Sequence, residues 1–140
     1  MILVSACLAG VNCRYDGTSS SCDYVLDLVK KGRAIPVCPE QMGGLPTPRI
    51  AAEQVGQRIV GKDGSDLTVQ FQQGIIQALK LVHLTGCVKA ILKSKSPTCG
   101  SCKVFDGNFN GTLVDGDGIF AQALKDVGIP VYAEKDVGLF

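Results

Sequence analysis

Met1-Ile-Leu-Val-Ser-Ala-Cys7 is a short apolar run that ends in a cysteine. The same arrangement occurs in Ala34-Ile-Pro-Val-Cys38, and the run Lys89-Ala-Ile-Leu-Lys93 is followed shortly by Ser96-Pro-Thr-Cys99. Short apolar runs without polar alternation are typical of strands that are covered on both faces of a parallel sheet. Because the carboxyl ends of parallel strands border the crevice where ligands bind, the sequence predicts that these three thiols lie close together.

Helical patterns separate the predicted strands. Apolar periodicity and end signals predict helices from Ser20/Ser21 to Gly32, from near Asp66 to Gly86, and from about Asp117 to Gly128. A fourth strand is predicted at Pro130-Val-Tyr132, and Arg58-Ile-Val60 is predicted to add an edge strand or a hairpin. Alternating strands and helices predict an α/β fold, here a small three-layer Rossmann-like domain with a mainly parallel sheet, spanning residues 1–140.

The composition excludes several classes of protein. Among 140 residues there are 14 Lys and Arg against 13 Asp and Glu, and neither sign forms the long block typical of nucleic-acid or membrane-surface binding. The apolar runs are far shorter than the roughly 20 residues that span a bilayer, and the first run lacks the basic leader of a signal peptide. We therefore expect a cytoplasmic protein that acts on a small molecule, with its oligomeric state left open.

Cysteine usage favours a metal or redox site. The chain has seven cysteines and one histidine, and without an export signal an odd number favours metal-binding, catalytic or buried thiols over a disulfide framework. Structural zinc usually uses paired Cys-x-x-Cys knuckles, whereas only Cys99-Gly-Ser-Cys102 has that spacing, so zinc is the weaker alternative. Three thiolates around a four-iron cluster would leave one iron able to act as a Lewis acid on a substrate sulfur or oxygen.

Polar residues beside the three cysteines are candidates for the accompanying chemistry. Glu40 follows Cys38 by two residues and is a candidate acid/base group, and Ser96 precedes Cys99 by three and offers a hydroxyl. The flanking segments supply candidate substrate-binding residues, namely Arg14, Asp16, Arg49 and Lys93. The cationic members of this set, with Lys95, could also offset the negative charge of a thiolate-bound cluster.

The remaining cysteines have less specific patterns. Cys87 is predicted to be a core residue, and Cys22 is predicted to cap or pack under the first helix. Cys13 and Cys102 lie in predicted rim loops, where each could be a fourth ligand, a resolving thiol or a bystander. Position alone also allows Cys7, Cys38 and Cys99 to be small buried hydrophobic residues, a common role of free cysteine.

Several short motifs together resemble the bacterial domain-of-unknown-function 523 family (DUF523), and the match covers essentially the whole chain. The motifs are Ser5-Ala-Cys-Leu-Ala-Gly10, Cys13-Arg-Tyr-Asp-Gly17, Pro36-Val-Cys-Pro-Glu40, Gly43-Gly-Leu-Pro-Thr-Pro-Arg49, Leu92-Lys-Ser-Lys-Ser-Pro-Thr-Cys-Gly100 and Phe105-Asp-Gly107. That family is similar to thiouracil desulfidases, in which a [4Fe-4S] cluster held by three cysteines removes sulfur from a thiocarbonyl base.

The resemblance implies a site and a reaction. By motif, the cluster ligands carry over to Cys7, Cys38 and Cys99, with Ser96 and Glu40 as the functional serine and acid. The implied activity removes sulfur as hydrosulfide from a thiocarbonyl compound such as a thiolated nucleobase, by attack of an activated water on the thiocarbonyl carbon. Aerobic purification is expected to strip an exposed cluster.

Two alternatives remain open at this stage. The first is a non-catalytic carrier of metal, cluster or sulfur that uses the same thiols. The second is a metal-free thiol redox protein, which requires a reactive thiol of low pKa at Cys99 or Cys102.

Overall fold

The computed structural model describes residues 1–139, and side chains as far as residue 136. Its elements in chain order are β1 (Ile2–Ser5), a 3-10 helix (Ala6–Ala9), α1 (Asp23–Lys30), β2 (Ala34–Val37), α2 (Pro39–Met42), β3 (Ala52–Val55), β4 (Arg58–Gly61), α3 (Thr68–Thr85), β5 (Lys89–Leu92), β6 (Lys103–Phe105), β7 (Leu113–Asp115), α4 (Ile119–Asp126), β8 (Val131–Ala133) and a 3-10 helix (Glu134–Leu139). Within the described range no helix is both long and apolar enough to cross a membrane.

Four of these strands form a parallel sheet in the order β2-β1-β5-β8. Leu3 of β1 lies opposite Ile35 of β2 on one side and Ala90 of β5 on the other. The chain leaves β1 toward β2 and later returns to pair β5 with the opposite side of β1, so the direction of strand order reverses at β1. Such a reversal opens a crevice at the carboxyl ends of the strands.

Helices cover both faces of the parallel sheet. Successive side chains of a strand point to opposite faces, so one strand can contribute residues to a buried cluster on either side. Leu3 and Leu92 belong to a buried cluster with residues of α3 and α4, including Phe120. Val4 and Ile91 belong to a second cluster, which contains residues of α1. The predicted α/β fold with three layers and a mainly parallel sheet is therefore confirmed.

The short helix α2 sits directly against the long helix α3. A Cβ atom added at Gly74 of α3 would lie 1.7 Å from the carbonyl oxygen of Pro39, and one added at Gly43 would lie 1.9 Å from that of Gln70. Real Cβ atoms do not approach a carbonyl oxygen so closely, so glycine at both positions allows the two backbones to touch. This contact fixes α2, which begins immediately after Cys38.

Two antiparallel hairpins, β3–β4 and β6–β7, lie outside the main sheet. The predicted extended segment at Arg58–Val60 is confirmed as part of β4, which pairs with β3. The Gln54 side chain of β3 donates hydrogen bonds to the carbonyl oxygens of Pro97 and Asp117, each at 2.9 Å. The first hairpin is thereby joined to the loop that follows β5 and carries Cys99.

Candidate active site

A cavity of about 420 Å³ opens at the carboxyl ends of β1, β2 and β5. Cys7 reaches it from the 3-10 helix after β1, Cys38 from the residue before α2, and Cys99 from the loop after β5. Cys13 also lines the cavity. The structure thus brings together the three cysteines that the strand-end pattern predicted to converge, and it adds a fourth thiol.

The thiols of this group interact with one another. The Cys13 thiol hydrogen-bonds to those of Cys38 and Cys7, and Cys38 also donates to the backbone carbonyl of Cys13 at 3.8 Å. The bond with Cys38 lowers the pKa of Cys13, but the bond with Cys7 and burial outweigh it and raise that pKa to about 11. The bond with Cys13 and burial likewise raise the pKa of Cys38.

Burial also raises the pKa of the Cys99 thiol, and a hydrogen bond from Ser5 offsets only part of this rise. A thiol-disulfide enzyme needs the opposite shift, toward a low pKa that keeps the attacking sulfur ionised. The metal-free redox alternative therefore gains no support at Cys99. Thiols with raised pKa hold their protons at neutral pH and lose them when a metal takes the protons' place.

Both carboxylate oxygens of Glu40 are held in place. Arg49 Nε donates to Glu40 Oε1 at 2.9 Å, and the hydroxyl of Thr98 donates to Oε2 at 3.0 Å. Thr98 is only 1% exposed and lies next to Cys99 in the chain. Glu40, at the start of α2, is therefore fixed relative to two of the candidate ligands, Cys38 and Cys99.

Arg49 connects several parts of the cavity wall. Besides Glu40, its guanidinium donates to the backbone carbonyl of Cys13 at 2.8 Å and to the Thr47 hydroxyl at 2.9 Å. The side chain is 6% exposed. Because its donors are committed to the protein, Arg49 orients Glu40 and the Cys13 loop rather than offering a free cation to a substrate.

Ser96 lines the cavity and organises the turn that presents Cys99. Its hydroxyl oxygen accepts hydrogen bonds from the backbone N–H groups of Thr98 and Cys99, each at 3.1 Å. These two N–H groups use the lone pairs of the hydroxyl oxygen, so the hydroxyl hydrogen is available to donate a hydrogen bond. At the end of β1, Ser5 joins the neighbouring strand by accepting the backbone N–H of Lys93 at 2.9 Å.

The other predicted substrate-binding residues differ in their surroundings. Arg14 lines the cavity, and so does Lys93, although its ammonium lies 3.3 Å from a Glu134 oxygen. Asp16 is not among the residues that line the cavity, so its assignment as a substrate-binding residue stays a prediction. Its carboxylate instead accepts hydrogen bonds from the backbone and hydroxyl of Thr18, which lower its pKa.

Several residues of the cavity wall were missed by the sequence reasoning. Glu53 and Lys62 line the cavity from the β3–β4 side, and Phe105 and Phe109 line it from the loop around β6. No sequence signal singled out Glu53, because only Arg58-Ile-Val60 in that region was predicted to be extended. Phe109 has a φ of 55°, which a non-glycine residue rarely adopts.

Cysteines outside the cavity have separate roles. Cys87 is buried in the core cluster beside α3, as predicted, and Cys22 precedes α1 and packs against the cluster under that helix. Cys102 is exposed and does not line the cavity. Of the two cysteines whose role was open, only Cys13 therefore reaches the candidate site.

The donor set is suited to a cluster more than to a single ion. No group of three or more His, Cys, Asp or Glu side chains in residues 1–139 has the geometry to hold a metal ion, so the zinc alternative gains no support. Thiolates are the preferred ligands of iron–sulfur clusters, which separate their ligands more widely than one ion does. Five cationic side chains and two carboxylates line the cavity, a balance that suits an anionic thiolate-bound group.

Comparison with known proteins supports the sequence resemblance. The family described as 2-thiouracil desulfurase matches residues 2–136. The chain belongs to the 2-thiouracil desulfurase family. An uncharacterised protein of Bacillus subtilis (strain 168), YbbK, is 35% identical, with 98% of this chain and 97% of that protein aligned.

A solved structure has the same fold and belongs to the family that the motifs predicted. It is described as a [4Fe-4S]-dependent thiouracil desulfidase, TudS (DUF523Vcz), and matches this chain with a TM-score of 0.93 at 41% identity. The alignment covers 98% of this chain and 92% of the solved chain. The predicted DUF523 relationship is therefore confirmed.

Proposed function

We propose that this protein is an iron–sulfur-dependent desulfidase that removes sulfur as hydrosulfide from a thiocarbonyl compound such as a thiolated nucleobase. The reaction converts thiocarbonyl and water into carbonyl and hydrogen sulfide, so water supplies the oxygen and both protons. The best single support is that Cys7, Cys38 and Cys99, from three strand ends, line one cavity together with Glu40 and Ser96. The family match and the [4Fe-4S] dependence of TudS support the same function.

In this proposal Cys7, Cys38 and Cys99 hold a [4Fe-4S] cluster. With these three thiolates as its protein ligands, a [4Fe-4S] cluster would retain one iron without a protein ligand, which would supply Lewis-acid chemistry to the substrate sulfur. The cationic side chains of the cavity offset the negative charge of the thiolates.

Glu40 is the proposed acid/base group. Its carboxylate accepts a proton from the attacking water at a carboxylate oxygen and returns that proton to the departing sulfur. Arg49 and Thr98 hold the carboxylate in one orientation for both transfers. Such positioning reduces the reorganisation that proton transfer would otherwise require.

Ser96 is the proposed residue that positions the substrate or the water. Because its oxygen accepts two backbone N–H groups, its own O–H is the part that can donate to a group in the cavity. Its place in the same turn as Cys99 keeps that donor close to a proposed cluster ligand. A small-molecule substrate suits the cavity. The cytoplasmic location of the protein stays a prediction.

Two cysteines of the same Cys-x-x-Cys pair provide a matched test. Under anaerobic conditions, iron and sulfide would be added to the wild type, Cys99→Ala and Cys102→Ala, and bound iron, visible absorption and hydrosulfide release from 2-thiouracil would be measured. We expect Cys102→Ala to resemble the wild type, because Cys102 is exposed and outside the cavity. Cys99→Ala should lose both the cluster and turnover.

Two results would contradict the proposal in different ways. A cluster-free Cys99→Ala protein that still releases hydrosulfide would remove the cluster from the reaction. A wild type that binds iron but turns over no member of a panel of thiolated bases and nucleosides would favour the carrier alternative.

A further inference from the structure

Glu53 is a buried carboxylate that the proposed reaction does not use. It lies on β3, lines the cavity and is only 8% exposed. It takes part in none of the ion pairs found among the described residues. A buried charge is costly unless hydrogen-bond donors surround it.

The two oxygens of Glu53 have different environments. Oε1 accepts the backbone N–H groups of Gly107 at 3.0 Å and Phe109 at 3.3 Å, whereas Oε2 accepts no hydrogen bond from a described residue. Among the described residues, every fully buried side-chain oxygen or nitrogen has a hydrogen-bond partner. Oε2 is therefore not fully buried, and Glu53 is one of the residues that line the cavity.

Aromatic rings flank the same part of the cavity. Phe105 and Phe109 are half-buried and line it, and the backbone N–H of Phe109 donates to Glu53 itself. The φ of 55° at Phe109 is the kind of strained conformation that is found at ligand-binding positions. A planar ring could lie against the phenyl groups with its edge toward Glu53.

The β3 strand is also fixed relative to the cysteine side of the cavity. Gln54, the next residue, bonds to the carbonyl of Pro97, which lies between Ser96 and Cys99 in the chain. Hydrogen bonds through Gln54 therefore join Glu53 to the loop that carries Cys99, which limits how far the two parts of the cavity wall can move apart.

We propose that Glu53 is a specificity-determining residue that accepts a hydrogen bond from a ring N–H of the substrate. The substrate class is a planar heterocycle in which an N–H lies next to the thiocarbonyl carbon, with Phe105 and Phe109 covering its face. This inference rests on the proposed function, because it assigns the substrate feature that is recognised in the same cavity.

The test uses three ligands and the cluster-loaded protein. Binding of 2-thiouracil, 1-methyl-2-thiouracil and 3-methyl-2-thiouracil would be measured by anaerobic equilibrium dialysis, together with hydrosulfide release. For the wild type we expect at least one methylated form to bind roughly 10- to 100-fold more weakly, the range for a lost hydrogen bond to a charged group.

The variant Glu53→Gln separates hydrogen bonding from steric fit. The two backbone N–H groups keep the amide oxygen turned toward the loop, so the amide NH₂ faces the cavity and meets the ring N–H donor to donor. This variant should therefore bind 2-thiouracil more weakly and lose its preference over the methylated forms. Asp63→Asn, which removes an exposed charge beyond the same hairpin, should behave like the wild type.

Either of two results would overturn the inference. The first is equal binding of all three ligands to the wild type, and the second is an unchanged preference in Glu53→Gln, which would make the discrimination steric. If Glu53→Gln does not fold, Glu53→Asp replaces it, since its shorter side chain withdraws the carboxylate and should also lose the preference. Binding discrimination without any hydrosulfide release would instead contradict the proposed function and leave the recognition by Glu53 standing.

Discussion

The two sides of the cavity differ in how firmly their residues are held. On the sheet side, Cys7 and Cys99 are buried. The Ser5 hydroxyl accepts the backbone N–H of Lys93, and the Thr98 hydroxyl donates to Glu40. On the opposite side, Phe109 and Gly111 belong to the loop between β6 and β7, in which every residue is exposed or half-buried. Because well-packed parts of a protein position side chains more precisely than exposed loops, this difference predicts that the buried side carries the chemistry and that the exposed loop adjusts to the substrate.

The largest effect on stability is expected where the rigid side is broken outright. Gly74→Ala would push a methyl group into the carbonyl of Pro39 and separate α2 from α3. We expect the free energy of unfolding to fall by about 3 kcal/mol, within the range for severe overpacking, and turnover to fall with it. Urea unfolding would measure this, with the exposed Gln73→Ala on the same helix as the control; equal stability of the two variants would contradict the close contact.

Replacing Glu40, the proposed acid/base group, tests the chemistry of the rigid side with little change in side-chain size. Glu40→Gln keeps the size of the side chain but removes its charge, so hydrosulfide release should fall roughly 10²- to 10⁴-fold, the usual contribution of such a group. Iron content and visible absorption should stay at the wild-type level. An unchanged kcat would show that proton transfer does not depend on Glu40.

The variant Arg49→Lys tests how much the orientation of Glu40 contributes to turnover. The positive charge remains, but the single nitrogen of lysine cannot take the positions of the three guanidinium nitrogens that donate to Glu40, Thr47 and the Cys13 carbonyl. We expect turnover to fall about 10-fold, which corresponds to roughly 1.4 kcal/mol of lost transition-state stabilisation. Steady-state kinetics on the cluster-loaded variant would measure it, and full activity would mean that charge alone is sufficient.

The smallest effect is expected on the loop side. Phe109→Leu keeps an apolar side chain at the strained backbone position but removes the flat ring, so KM should rise about 2- to 10-fold with little change in kcat. Thermal unfolding and iron content should match the wild type. Loss of iron in this variant would mean that the loop supports the cluster site, and the contrast between the two sides would disappear.

The fold could be predicted well because its pattern is local. Each strand of the parallel sheet is a short apolar run, and α1, α3 and α4 have apolar stripes and end signals that can be read directly. Among the elements that the sequence did not predict, two have a clear physical reason. The helix α2 has four residues, too few for a periodic pattern, and all three residues of β7 are exposed, so it has no buried face to alternate with.

The site could be predicted only in outline. The convergence of Cys7, Cys38 and Cys99 follows from one rule about strand ends, but the neighbours of those thiols depend on contacts between distant loops. Cys13 is brought into the cavity by a loop whose carbonyls accept bonds from Arg49, 36 residues further along the chain. No local sequence pattern distinguishes Cys13 from the exposed Cys102, and none indicates that Asp16 does not line the cavity.

The order of the strands sets how far apart the backbone positions that precede the three cysteines lie. Adjacent strands lie about 4.8 Å apart, so β2, β1 and β5, which precede Cys38, Cys7 and Cys99, span about 10 Å. Sulfur ligands of one zinc ion each lie about 2.3 Å from it and therefore stand within about 4.6 Å of each other. The hydrogen-bond spacing of the backbone therefore favours an occupant several atoms wide before any side chain is considered.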